Sequence, residues 1–169
     1  IKSKTGINGQ YSYDGAKPNR LTAVAGRTFK YDANSNVTED GERVHTYASF
    51  DKPTLIKNKA GTVKAEFSYG PSREVLKKID TINGKVTTTR YLGGYEQVEK
   101  DTGLIEHKFY VGNIVITRRN DNKNDTYFLH KDHLGYTIAI SDMARREAKQ
   151  YMYDTFGKQY EIYSNNSHY

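Results

Sequence analysis

The chain of 169 residues contains no cysteine, which removes disulfides and thiolate metal sites together. Packing and strand pairing alone must hold it. Absence of thiols also fits a bacterial protein that crosses or works outside the cell, although many cytosolic proteins lack them too; the expected location is secreted or on the cell surface. No apolar run approaches the roughly 20 residues that span a bilayer, and no membrane span is expected. The opening residues, IKSKTGINGQ, lack the apolar stretch of a signal peptide. Either export uses another route or the chain is cut from a longer one. Apolar residues of every kind make up only 36% of the sequence, and 15 of them are Tyr. That composition suggests a thin, wet sheet more than a thick core, because a Tyr ring buries while its hydroxyl stays near water.

The motifs of catalysis are equally scarce. No Gly-x-Ser-x-Gly elbow and no Gly-rich phosphate loop occurs. His45, His107 and His168 are isolated. HKDH, His130 to His133, places two His and an Asp close together and is the one candidate for a divalent metal or a nuclease centre. In a strand and turn setting its two His side chains point to different sides, which favours a structural role. The expectation is a chain that is not an enzyme, with no cofactor and no metal site. Lys and Arg number 26 against 20 Asp and Glu, for a formal charge of +6. They are spread evenly, as on a solvated face, so no nucleic-acid partner is expected.

What the sequence does have is a repeat. Aromatic residues followed by Asp or Gly recur as SYDG at Tyr13-Asp14, KYDA at Tyr31-Asp32, SFDK at Phe50-Asp51, SYGP at Tyr69-Gly70, RYLGG at Tyr91, YVGN at Tyr110 and MYDTFG at Tyr153-Asp154. Their spacing is about twenty residues, the mark of a repeat array. Between them RTFKYD, RVHTYASF, VKAEFSY, KVTTTRYL and EHKFYV alternate in the strand manner. ANSN, EDGER, NKAG, INGK, DTG and NDNKND supply turns. Asn83-Gly84 is a strong hairpin signal and Asp40-Gly41 a weaker one, since these residues accept positive φ. DMARREAKQYM alone has helical composition, although Met143, Ala144 and Ala148 make a poor apolar face.

YDANSNV, residues 31–37, reads as a turn. Asp32 can accept backbone N–H groups two or three residues on, Tyr31 can lie over the sheet, and Asn34 and Asn36 tolerate the left-handed conformation of a tip. The rival is a calcium loop using Asp32, Asn34 and Asn36. It lacks the Gly and Glu that such a loop needs, Val37 and Arg43 standing in those places.

These residues resemble the Tyr-Asp repeats of bacterial Rhs proteins, known from polymorphic toxins and Tc toxin cocoons. YDANSNVTEDGERVHTYASFDKPTLI is similar to the YDxxGNxT unit and the Y-x-x-F-D-x-P element that follows it. FSYGPSREVLKKID and TTTRYLGGYEQV resemble further units. YFLHKDHLGYTIAISD and YMYDTFGK resemble the DHLGS and YDPFG segments near the end of an Rhs core. The likeness runs from about residue 10 to residue 160. Ser35 stands where the repeat usually has Gly, Tyr136 where Ser is usual and Thr155 where Pro is usual, and the turn after Asp142 lacks its Gly. The plug and the DPxG self-cleavage site of complete cores are not among these residues, so self-proteolysis is not implied.

The resemblance implies an all-β chain, an antiparallel YD-repeat β-hairpin ribbon forming a curved piece of an Rhs-type shell. Residues 1–160 would be the sheet and 161–169 a polar C-terminal tail. The structural repeat positions would be Tyr13, Asp14, Tyr31, Asp32, Phe50, Asp51, Tyr69, Gly70, Tyr91, Tyr110, Asp132, His133, Gly135, Tyr153, Asp154 and Gly157. The implied function is a non-catalytic shell segment that encloses or presents a toxin cargo. A carbohydrate-binding or adhesion module on the cell surface and a basic nuclease tip are the alternatives. Expected partners are protein, namely other shell segments, cargo or a second copy pairing through exposed strand edges, with carbohydrate as a further candidate.

Overall fold

A computed structural model describes residues 9–144, 146–154 and 157–164. All seventeen elements among the described residues are strands. The chain divides into two compact units, Ile1–Thr87 and Thr88–Tyr169. The first holds β1 (Ser12–Tyr13), β2 (Leu21–Val24), β3 (Arg27–Thr28), β4 (Lys30–Tyr31), β5 (Val37–Glu39), β6 (Arg43–Tyr47), β7 (Pro53–Asn58), β8 (Val63–Tyr69) and β9 (Val75–Ile82). β10 (Lys85–Leu92) contains the division between the units. The second unit continues with β11 (Tyr95–Lys100), β12 (Ile105–Val111), β13 (Ile114–Arg119), β14 (Asn124–Lys131), β15 (Thr137–Asp142), β16 (Glu147–Tyr153) and β17 (Gln159–Ser164).

β1 to β3 form a small sheet, and β4 to β17 follow one another in a 14-stranded sheet with no crossover. All of the resolved pairings are antiparallel between sequence neighbours; β12, for example, pairs Phe109 with Tyr95 on one side and with Ile116 on the other. Local connection explains this order, since a short turn can only return the chain beside the strand it has left. The expected all-β ribbon of antiparallel hairpins is what the chain forms.

The one segment of helical composition, DMARREAKQYM, forms no helix among its described residues, in keeping with the expected all-β chain. Residues 142–144 and 146–152 belong to the end of β15, a turn and most of β16, with Ala139 opposite Gln150 and Ile140 opposite Lys149. Helical propensity of the individual residues lost to strand pairing, because the segment had no apolar stripe for a helix to bury. The last strand runs to Ser164, past residue 160 where the polar tail was expected to start. Thr155 and residues 165–169, including His168, lie outside the described residues.

Hardly any core lies under these ladders. Among the described residues only Val24 and Val98 are buried hydrophobics, joined by the polar Asp40, Thr89 and Thr117. Hydrogen-bonded ladders and half-buried Tyr, Ile and Val side chains therefore carry the fold.

Candidate interaction site: the Tyr-Asp turns

The repeat builds one kind of turn again and again. The backbone N–H of a first residue donates to the carbonyl of the fifth, and the N–H of the fourth donates to the carbonyl of the first. This holds for the turns starting at Asp32, Ala48, Gly70, Lys100, Asp132 and Asp154. The fourth residue has positive φ each time: Ser35 (71°), Asp51 (62°), Arg73 (62°), Gly103 (79°), Gly135 (87°) and Gly157 (81°). A left-handed residue closes each of these turns, which suits three-residue hairpin loops. The left-handed place in the opening turn thus belongs to Ser35, not to Asn34 or Asn36. Asn83 (51°) and Gly84 (83°) both have positive φ, as the two-residue hairpin between β9 and β10 requires.

Where the first residue is Asp, its carboxylate collects the backbone donors of the loop. Asp132 Oδ1 accepts Leu134 N–H and Tyr136 N–H, both at 2.9 Å. Asp142 Oδ1 accepts Ala144 N–H and Arg146 N–H at the same distance, and its other oxygen takes Arg146 Nε–H at 2.9 Å. These bonds, led by the one from the Arg146 backbone, hold the Asp142 carboxyl below its ordinary range. Asp14 accepts Ala16 N–H, and Asp154 accepts Lys158 N–H. Asp32 accepts the backbone N–H of Asn36 at 2.8 Å, four residues on, and its side-chain amide at 3.0 Å.

The tyrosines do something equally regular. Tyr31 donates its hydroxyl to Leu21 O (2.6 Å), Tyr47 to Val37 O (2.9 Å), Tyr69 to Pro53 O (2.6 Å) and Tyr153 to Thr137 O (2.8 Å). Each ring belongs to the residue just before a turn. For Tyr47, Tyr69 and Tyr153 the acceptor is the residue just after a preceding turn of the five-residue kind. The hydroxyl therefore ties one hairpin end to another. Burial raises the Tyr69 and Tyr47 hydroxyl pKa, in Tyr47 with help from the charges of Asp32 and Asp40.

Tyr47 was not among the expected repeat positions. It lies one residue before a turn, as Tyr31 and Tyr69 do, whereas Phe50 and Asp51 lie inside theirs. That offset was the signal that could have found it. Phe50 packs edge-on to Tyr69, with ring centroids 5.4 Å apart, beneath the Arg73 guanidinium. The Asp51 carboxylate accepts the side-chain amides of Asn34 (2.9 Å) and Asn36 (2.8 Å), and those bonds lower its pKa. Asn34 and Asn36 of the rival calcium loop are thus joined by amide-to-carboxylate bonds to the next turn, while Asp32 is engaged by Asn36 within its own turn.

Tyr110 follows another pattern, donating to Glu96 Oε2 at 3.1 Å. Burial, with the Glu96 charge, that hydrogen bond and neighbouring Tyr91, pushes its pKa up to about 12. HKDH does not assemble as a centre: His130 Nε2 pairs with Ser141 Oγ at 2.8 Å, while Asp132 is occupied in its turn beside the exposed His133. Among the described residues no three His, Asp or Glu side chains are placed to hold a metal ion. Asp40 is the buried acid. Burial pushes its carboxyl up, but hydrogen bonds from the Arg43 backbone and side chain and the Glu42 backbone outweigh it and hold it at about 2. His45 Nε2 lies 3.5 Å from the same carboxylate.

No model of a known protein family matches the chain. It is 32% identical over 143 residues to the tRNA(Glu)-specific nuclease WapA of Bacillus subtilis subsp. natto, a match covering 82% of this chain and 6% of that protein. The tRNA3(Ser)-specific nuclease WapA of Bacillus spizizenii is 32% identical over 146 residues, with the same coverage. The chain thus spans about 6% of the length of the curated relatives it matches. Among solved structures it is similar to the TcdB2-TccC3 crystal structure, with a TM-score of 0.61 at 11% identity, covering 89% of this chain and 10% of that one. The Photorhabdus luminescens Tc holotoxin pore gives a TM-score of 0.56 at 12% identity, covering 87% and 7%.

Two expectations are overturned by these relatives. The chain was expected not to be an enzyme and to have no nucleic-acid partner, yet the relatives are named as nucleases of tRNA. Charge and motif were read over a stretch matching a small fraction of those proteins, and such a stretch says nothing about the remainder. The repeated turns, the sequence-ordered ladder and the likenesses in sequence and fold agree: the chain is an Rhs-type YD-repeat segment.

Proposed function

We propose that this chain is a stretch of wall in the YD-repeat shell of a larger bacterial toxin that acts on tRNA, working outside the cell that makes it. In this reading the Tyr-Asp turns are the fasteners of the wall. The observation that carries the proposal is the recurrence of the tyrosine hydroxyl bond from one hairpin end to another, at Tyr31, Tyr47, Tyr69 and Tyr153. Such bonds fix the spacing of successive turns without a thick core, which suits a wall with two accessible faces. The nuclease names of the relatives support tRNA as the target of the whole protein.

Limited proteolysis of the natural full-length protein tests this. Combined Tyr69→Phe and Tyr153→Phe substitutions should speed cleavage of the enclosed part while the repeat region keeps its β spectrum. Unchanged protection would overturn the wall reading. Specific cleavage of tRNA by this chain alone would also overturn it, by making the chain the nuclease.

A further inference from the structure

A cavity of about 280 Å³ opens in the first unit, lined by Lys17, Asn19, Arg20, Tyr31 and Ser35. The repeat does not explain its polar lining. Arg20 is fixed there from several sides. Its guanidinium lies 4.8 Å from the centroid of the Tyr31 ring, and one terminal nitrogen donates to Ser35 Oγ at 2.9 Å. The other terminal nitrogen is 3.8 Å from Asp14 Oδ2, beyond hydrogen-bond length, while Asp14 Oδ1 is engaged by Ala16 N–H. The Arg20 Nε is buried, with no acceptor among the described residues. Tyr31 offers its ring and nothing more, since its hydroxyl is committed to Leu21 O.

The charge around the cavity is therefore not balanced. Two cations, Lys17 and Arg20, line it with no carboxylate among the lining residues; Arg20 has Asp14 at 3.8 Å, and Lys17 has no ion-pair partner among the described residues. Lys17, Asn19 and Ser35 are exposed and can reach a ligand, while Arg20 is already held in place. A guanidinium fork pre-oriented on an aromatic ring, beside an ammonium, an amide and a hydroxyl, matches a group with several strong acceptor oxygens. We propose that this cavity is a phosphate-binding site, with room for a small organic group on the phosphate. The inference does not depend on the wall reading, because it rests only on side chains of this cavity.

Calorimetric titration of the whole chain at low salt tests it, with inorganic phosphate, AMP and acetate as probes. Saturable binding of phosphate or AMP is expected with a Kd of about 1 mM or tighter. Tighter binding of AMP would identify a phosphate ester as the ligand, and equal binding would identify free phosphate. Arg20→Gln should weaken binding by about tenfold or more, as loss of a charge-assisted bond does. Lys17→Ala should weaken it several-fold. Among the described residues Lys17 makes only a backbone bond to Arg20, which Lys17→Ala keeps, so this second variant remains informative if Arg20→Gln unfolds the loop. Absence of saturable binding, binding unchanged in Lys17→Ala, or acetate bound as tightly as phosphate would overturn the assignment.

Discussion

Ser35 holds a φ of 71° at the place where Gly135 and Gly157 stand in equivalent turns. A side chain there costs about 1 kcal/mol, because Cβ crowds the backbone in the left-handed region. Ser35→Gly relieves that cost, loses an exposed hydrogen bond from Arg20 and adds freedom to the unfolded chain. The expected balance is a gain of about 0.5 kcal/mol, read as a higher urea midpoint. A lower midpoint would show that the Arg20 contact outweighs the strain. Asp40 gives a pH prediction at the same scale. Its folded pKa of about 2 lies below the usual 3.8. The stability it contributes is therefore complete above the usual value and is lost as pH falls through the folded one. Asp40→Asn should lower stability near neutral pH by on the order of 2 kcal/mol and flatten the acid limb below pH ~4. Urea unfolding at a series of pH values checks both halves.

At the scale of the turn, the carboxylate is the closing device. Asp132→Ala leaves the N–H groups of Leu134 and Tyr136 with water as their acceptor, at an expected loss of about 0.5–1 kcal/mol. Amide exchange at those two residues should speed up, with β12 and β13 unchanged. Equal loss of protection in those neighbouring strands would show that the turn nucleates the whole sheet. Strand alternation and Asn83-Gly84 were legible in the sequence because period two and paired positive φ are local properties. The role of Asp132 was legible for the same reason, since its partners lie two and four residues away. Tyr47 was not, because its acceptor belongs to another turn and only the turn register reveals the pair. In the segment 142–152 residue propensity outlines a helix that its poor apolar face already spoke against, and cross-strand partners for Ala139, Ile140 and Ser141 decide for a strand. The cavity around Arg20 was illegible because it joins the loop before β2 to a residue fifteen positions on.

A chain with so little buried apolar surface cannot draw its stability from one shared core, so each hairpin must depend mostly on its immediate neighbours. Repeat proteins of this kind approach a sum of local terms. Bonds between successive turns do exist, from Asn34 and Asn36 to Asp51 and from Lys52 to the Arg73 carbonyl, but they are exposed. Exposed bonds of this sort contribute weakly, whereas the tyrosine hydroxyl bonds, each reaching only to a neighbouring hairpin end, are partly buried. Tyr31→Phe and Tyr69→Phe, both within the first unit, should each cost about 1 kcal/mol, the net worth of one hydrogen bond. Their effects should add within about 0.5 kcal/mol in the double variant, as independent sites do. The measurement is a double-mutant cycle by urea unfolding of the whole chain. A coupling above about 1 kcal/mol would mean that the exposed turn-to-turn bonds transmit strain along the edge, and the sum-of-hairpins picture would give way to a cooperative spine.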